Sequence, residues 1–250
     1  MIYTALAFLA VAFLYASVGF GGGSTYTAIL IETGMAYEFV PIVSLLCNIV
    51  VVSGGIYHYA KAGHLDLNFA LPLVITSVPA AFLGGYIRID ENSFLATLGA
   101  ALLIAGILMI LDRRLGSQTT VGSNRLAMSA SLVLGAFLGG LAGITGIGGG
   151  IYLAPALHLM RLADARTVAA TCSLFIFANS LAGLGGQLSK LGSDAGVLLN
   201  ASYLVLPMAV LIGGQLGSRL GATRLPAAPI RRLTGLVILI VSVRLLWRVI

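Results

Sequence analysis

Two clusters of glycine interrupt long apolar stretches of this chain, in the sequences VGFGGGS (Val18–Ser24) and TGIGGGI (Thr145–Ile151). Glycine adopts positive φ angles easily and lets a ligand approach the backbone closely. If a helix ends at each cluster and another begins there, the first N–H groups of the new helix have no partner and carry partial positive charge. The spacing therefore predicts that the two helix starts together hold one small anion.

The predicted substrate-binding residues come from both clusters and from two asparagines. Asn48 and Asn179 each lie inside an apolar stretch, where a polar amide needs a partner. Bonding between helices would satisfy the asparagines, and close helix packing would explain the glycines, so these alternatives stay open. The complete predicted set is Gly21, Gly22, Gly23, Ser24, Thr25, Asn48, Thr145, Gly148, Gly149, Gly150, Tyr152 and Asn179.

The composition excludes a soluble protein. Hydrophobic residues make up 59% of the 250 residues and charged residues 9%, whereas a soluble domain carries roughly 25% charged residues. The net charge of +6 does not indicate nucleic-acid binding, because the basic residues are scattered at the ends of apolar stretches. Intramembrane carboxylate pairs and His/Cys/Asp clusters are missing from the sequence. We therefore expect a membrane protein that is not an enzyme, with neither a metal nor a cofactor.

The chain has eight apolar stretches, of which 3–33 and 126–159 are too long for a single crossing of about 20 residues. With eight simple crossings, the 14 Lys and Arg residues divide evenly between the two sides. If both long stretches double back at their glycines, ten basic residues lie on one side and four on the other. The positive-inside rule favours this second arrangement, with short returning helices near Ser24–Glu32 and Ile151–Met160 and both termini outside.

The two halves of the chain repeat each other. Gly19–Gly23 matches Gly146–Gly150 at an offset of 127, and Asn48 matches Asn179 at an offset of 131. Each half then has five segments, and an odd number inverts the second half relative to the first. We predict an all-α polytopic membrane protein with two inverted repeats, each a glycine-broken helical hairpin plus three transmembrane helices. The predicted parts are a first repeat (1–112), a connecting loop (113–125) and a second repeat (126–250).

The sequence GITGIGGGIYLAPAL at Gly143–Leu157, with its partner at Val18–Gly23, closely resembles the sulfite exporter TauE/SafE family of membrane permeases. The resemblance covers nearly the whole chain. It implies multi-pass transport of a sulfur-containing anion such as sulfite, a sulfonate or sulfoacetate, in a bacterial cytoplasmic membrane. One departure is that Ala28 stands where the second repeat has Pro155, which predicts unequal helix geometry or substrate contact in the two halves.

Three functions remain as hypotheses. The first is a secondary carrier that works by alternating access between the two halves, with the glycine clusters and asparagines holding the anion. The second is a passive anion channel, in which the same helix ends form a weakly binding filter. The third is a non-transporting membrane assembly protein whose glycines serve packing alone. The expected partners are a small organosulfur or sulfite anion, the lipid bilayer and, in a homodimer, a second copy of the chain.

Overall fold

The computed structural model describes residues 2–111, 127–160, 162–191 and 205–247. Regular structure within these ranges consists of ten α-helices. The helices are α1 (Ile2–Ala16), α2 (Gly23–Glu32), α3 (Val40–Lys61), α4 (Leu67–Tyr86), α5 (Glu91–Leu111), α6 (Met128–Thr145), α7 (Gly150–Leu159), α8 (Ala165–Leu191), α9 (Val205–Thr223) and α10 (Ala227–Trp247). The predicted connecting loop, 113–125, lies outside the described residues.

Most of these helices are suited to a bilayer. Six of them, α3, α4, α5, α6, α8 and α9, are long and apolar enough to cross a membrane, and α1 is a shorter apolar helix. Large apolar side chains lie on the outer surface, such as Ile75 (63% exposed), Phe137 (69%) and Ile240 (68%). Lipid solvates such side chains, whereas water does not. The prediction of an all-helical, multi-pass membrane protein is therefore confirmed for the described residues.

Both long apolar stretches break at their glycines, as predicted. We call residues 17–22, between α1 and α2, the first elbow, and residues 146–149, between α6 and α7, the second elbow. The N-cap residue of each short helix is a left-handed glycine, Gly22 with φ 94° and Gly149 with φ 82°. Each short helix begins one residue earlier than predicted. Both have 10 residues, so Pro155 does not make α7 longer or shorter than α2.

The chain reverses direction at both elbows. The rings of Phe8 in α1 and Tyr26 in α2 stack with centroids 4.5 Å apart, whereas a continuous helix would separate these residues by about 27 Å along its axis. At the second hairpin, Met160 follows the end of α7 yet lines the same cavity of about 510 Å³ as Ser129 and Val133 from the start of α6. Each short helix therefore returns towards the beginning of the helix before it.

The long helices are exchanged between the two halves of the chain. Helix α4 packs against α6 and α8, while α9 packs against α1 and α3. We call α1, α3 and α9 the first bundle, and α4, α6 and α8 the second bundle. The bundles meet where α3 contacts α8, and α5 pairs with α10. If each helix is replaced by its counterpart in the other half, this set of neighbours stays the same.

Glycines allow the exchanged helices to pack at backbone distance. A Cβ on the inward glycines of α9 would overlap backbone atoms of α1 or of Ser17 just after it, and a Cβ on those of α6 would overlap backbone atoms of α4. The pairs are Gly213 with Leu9, Gly217 with Phe13, Gly221 with Ser17, Gly135 with Leu73, Gly139 with Ser77 and Gly143 with Ala81. Glycines spaced by four residues therefore serve helix packing here, as the alternative reading of the sequence proposed.

Candidate anion site between the two elbows

Helix α3 brings the two elbows together. The Ser44 hydroxyl lies 3.1 Å from the Gly23 carbonyl oxygen, just after the first elbow, and 2.9 Å from the Gly146 carbonyl oxygen in the second elbow. A hydroxyl has one proton, so it donates to one of these carbonyls at a time. One serine therefore spans the gap between the two glycine clusters, and any ligand held between them must be small.

Asn48, one turn further along α3, contacts both elbows. It is fully buried, and its Nδ2 donates to the Ile147 carbonyl oxygen at 3.0 Å. A Cβ on Gly21 would overlap the Asn48 Oδ1, and a Cβ on Gly148 would lie 3.2 Å from its Nδ2. Among the described residues, Oδ1 has no hydrogen-bond partner. Asn48 is the ninth of the 22 residues of α3, which places this contact well inside the predicted membrane span.

A run of backbone amides at the end of each elbow and the start of the following short helix lacks acceptors among the described residues. Within the described ranges, no hydrogen bond uses the N–H groups of residues 21–24 or 147–151, although all of these residues are buried. The next amides in α2 and α7 do have partners, since they donate to the carbonyls of Gly22 and Gly149. Buried backbone N–H groups are rarely left without an acceptor. Each elbow thus presents a row of donors at a helix N-terminus, where the helix dipole favours negative charge.

Three hydroxyl side chains of the first hairpin are bonded to each other, whereas those of Tyr26 and Thr27 in α2 have no partner among the described residues. Tyr15 in α1 shares a hydrogen bond of 2.7 Å with Thr25, and Ser24 donates to the Tyr15 hydroxyl at 3.4 Å. Ser24 and Thr25 belong to the predicted site, whereas Tyr15 does not. In this structure both predicted hydroxyls therefore face a side chain of their own hairpin.

The polar side chains near the second elbow are mostly unpaired. Thr145 donates to the Leu141 carbonyl of its own helix at 2.7 Å, so its proton is engaged there. The Tyr152 hydroxyl, which faces Thr145, has no hydrogen bond of ordinary geometry within the described residues. In the same part of the chain, both amide atoms of Asn179 and the hydroxyl of Ser180 also lack a partner, and both side chains are fully buried.

The predicted residues do not all come together. Gly21, Gly23, Gly148 and Asn48 form one cluster around α3. The other glycines pack against side chains at the position where a Cβ would be: Gly22 against Tyr26, Gly149 against Phe175 and Gly150 against Ile176. In the described structure, Asn179 is not among the atoms nearest to the elbow glycines. The ligand-binding hypothesis therefore fits the glycines beside Asn48, and the packing hypothesis fits the other glycines of the same clusters.

Sequence reasoning missed the serines that hold the elbows. Ser44 precedes Asn48 by one helical turn, which puts both side chains on the same face of α3. In α8, Ser173 donates to the Gly19 carbonyl oxygen at 3.1 Å, so each elbow is held by a hydroxyl from the other half of the chain. For Ser44 the available signal was a hydroxyl one turn from an intramembrane asparagine, whereas Ser173, six residues before Asn179, had no such signal.

A cavity of about 350 Å³ reaches the first elbow from the end of the molecule where α3 ends and α8 begins. Its lining residues include Ser17, Val18, Tyr59, Asp164, Arg166 and Ala169. Asp164 accepts the amide N–H of Arg166 at 3.1 Å, and the Tyr59 hydroxyl donates to the Ser17 carbonyl oxygen at 2.9 Å. Next to this cavity, Gly19 packs directly against the backbone of Ala169.

Comparison with known proteins finds membrane transporters among the relatives of this chain. The chain is 29% identical over 247 residues to the "Probable membrane transporter protein y4hK" of Sinorhizobium fredii, with 97% of each chain covered. It is 27% identical over 250 residues to a "Probable membrane transporter protein" of Xylella fastidiosa, covering 91% of this chain and 88% of the relative. No solved structure matches. The profile of the sulfite exporter TauE/SafE family matches residues 4–245, nearly the whole chain, which therefore belongs to this family of membrane transporters.

Proposed function

We propose that this protein is a secondary carrier of a small sulfur-containing anion, such as sulfite, a sulfonate or sulfoacetate, bound between the two elbows near the middle of the membrane. The observation that carries the proposal is the pair of buried amide rows at residues 21–24 and 147–151, which have no acceptor in the described structure. The sulfur chemistry rests on the family name alone. Pyramidal or tetrahedral oxyanions suit a set of convergent N–H donors.

The contacts at α3 support an anion of small size. Ser44 bridges carbonyls that belong to the two elbows, so the space between the elbows is narrow. Helix N-termini, the Asn48 amide and hydroxyl groups are neutral donors, and they bind negative charge without a buried cation. A carboxylate would satisfy the same donors, so it must be compared directly with sulfur anions in the test.

The proposed mechanism is alternating access between inverted halves. Each half contributes five helices, and an odd number of crossings, counting each short helix as one, reverses the orientation of the second half. Helix α4 packs with helices of the second half, and α9 packs with helices of the first half. The parts that move relative to each other are therefore the first and second bundles, not the two halves of the sequence. Their contact between α3 and α8 carries Asn48 and Ser180. Sliding at this contact would then expose the elbows to one side of the membrane at a time.

Transport by the purified protein in proteoliposomes tests the proposal. Sulfite, methanesulfonate, sulfate and acetate are supplied separately, and uptake is measured against concentration with and without internal substrate. A carrier gives saturable uptake of a sulfur anion that internal substrate accelerates. Uptake that rises linearly without counterflow indicates a channel. If none of the four anions moves, and none shifts the thermal unfolding of the protein, the non-transporting alternative is correct.

Substitutions at the elbows test the site within the same assay. Gly22→Val and Gly149→Val place a branched side chain at a left-handed N-cap position and crowd the amide rows. We expect transport to fall in both. Gly34→Val is the matched control, because Gly34 is also left-handed, with φ 80°, but has nothing within 4 Å of its Cβ position. Normal affinity in folded Gly22→Val and Gly149→Val would contradict the proposed site.

A further inference from the structure

Ser180 in α8 presents a buried hydroxyl to the second elbow. Its side chain is fully buried, and its Oγ has no hydrogen-bond partner among the described residues. The same Oγ lies 2.8 Å from the Cβ position of Gly148, the residue just before the N-cap of α7. Because Gly148 has no side chain, its backbone faces the Ser180 hydroxyl directly.

Two other buried serines, Ser173 and Ser218, have satisfied hydroxyls, whereas the buried hydroxyls of Thr27 and Thr171 have no partner in the described structure. Ser173, two turns earlier in α8, donates to Gly19 and Ala169 carbonyls, and Ser218 in α9 donates to the Gly214 carbonyl at 2.7 Å. A helical serine in apolar surroundings ordinarily bonds to the carbonyl one turn back, as Ser218 does. Ser180 does not form that bond. Leaving a buried hydroxyl unpaired is unfavourable, so a bound group that accepts its hydrogen bond would stabilise it.

Three kinds of donor converge beside Gly148. They are the amide row 147–151 at the start of the 10-residue helix α7, the Asn48 Nδ2 at 3.2 Å from the Gly148 Cβ position, and the Ser180 hydroxyl. We propose that Ser180 donates a hydrogen bond to the transported oxyanion and is a specificity-determining residue of the second elbow. This inference rests on the proposed function, and it adds a side chain that lies outside the predicted site.

A ligand-binding role of Ser180 can be distinguished from a structural role by measuring both affinity and stability. Removing a hydroxyl that is unpaired in the empty protein does not destabilise it, because no internal bond is lost. Removing a hydroxyl that contacts a bound anion weakens binding, because hydrogen bonds to charged groups are the stronger ones. Ser180→Ala should therefore lower affinity without lowering stability.

The test compares Ser180→Ala with the control Ser218→Ala in detergent, by isothermal titration with sulfite and with methanesulfonate and by thermal unfolding without anion. For Ser180→Ala we expect a dissociation constant raised by about tenfold or more, together with an unfolding temperature at or above that of the wild type. For Ser218→Ala we expect the wild-type dissociation constant. Ser180→Cys, which keeps the size but donates weakly, should give an intermediate affinity.

Two outcomes overturn the inference. One is an unchanged dissociation constant in Ser180→Ala and Ser180→Cys, and the other is a lowered unfolding temperature of the anion-free protein in both, which would indicate a structural role. If Ser180→Ala does not fold, Ser180→Cys decides by the same criterion. Failure of the proposed function is distinct, because then the wild type itself binds neither sulfite nor methanesulfonate.

Discussion

At the first elbow, the hydroxyls of Ser24 and Thr25 are both tied to Tyr15. At the second elbow, the hydroxyls of Tyr152 and Ser180 have no such partner within the described chain, and the same holds for Tyr26 and Thr27 in α2. The two elbows occupy equivalent places in the repeat, and both carry rows of unbonded amides. Ser24 and Thr25 are therefore engaged within their own hairpin, whereas Ser180 lies beside the second elbow without a partner in the described structure.

The backbone of the two elbows also differs. The first elbow has left-handed residues at Gly19 and Gly22, whereas the second has them at Gly146, Gly148 and Gly149. Gly148 is the counterpart of Gly21, which is not left-handed. The second elbow therefore depends on glycine at one more position, and this is the position that faces Ser180.

The largest expected effect comes from alanine at these counterpart positions. Gly148→Ala forces a left-handed alanine and places its Cβ 2.7 Å from Ile176, so we expect a loss of about 2–4 kcal/mol in the free energy of unfolding. Gly21→Ala has no left-handed strain, but its Cβ displaces the buried Asn48 side chain, so we expect a smaller loss of about 1–2 kcal/mol. Chemical unfolding of both variants in detergent measures the difference. Equal losses would mean that the two turns are equivalent.

Leucine substitutions at the two asparagines should have different effects on stability. Asn48→Leu leaves the Ile147 carbonyl without its donor, so we expect a loss of about 1–3 kcal/mol in stability. Asn179→Leu removes two unpaired polar atoms, so stability should stay the same or rise. Unfolding without anion checks this. A destabilised Asn179→Leu would show that this amide has a structural partner. Asn48→Leu should also bind sulfite more weakly if the proposed site is right.

A smaller difference is expected between the two tyrosines. Tyr15→Phe breaks the bond to Thr25, and we expect it to cost about 1 kcal/mol. Tyr152→Phe removes an unpaired hydroxyl and should leave the stability of the empty protein unchanged. Thermal unfolding of the two variants side by side tests this. The asymmetry between the elbows would disappear if Tyr152→Phe proved as costly as Tyr15→Phe.

The smallest effect concerns the ends of the short helices. Glu32 at the end of α2 pairs with Arg244 of α10 at 3.0 Å, whereas the matching position of α7 is Leu159. Both charged side chains are well exposed, at 43% and 70%. We expect Glu32→Gln to cost less than about 1 kcal/mol, and the cost should vanish in high salt. A loss that persists at high salt would show that the pair is more than a screened surface contact.

Sequence reasoning succeeded where one local rule was decisive. Span length, charge asymmetry and glycine together predicted the breaks before Gly23 and Gly150 within one residue. It failed where the answer depends on a second element. The bonds that Ser44 and Tyr15 form join helices whose distance apart is not encoded in any local pattern. For the same reason, Ser180 could be found only after α8 was seen to face the second elbow.

The exchange of α4 and α9 has a consequence for how the protein is made. When the ribosome has completed α4, helices α6 and α8 have not yet been synthesised. In the folded protein these two helices cover the face of α4 that glycines approach closely. The nascent first half must therefore wait in the bilayer with that face in contact with lipid or with an insertion chaperone. Neither half is a self-sufficient folding unit, and two separately expressed halves should be degraded alone but stable when produced together.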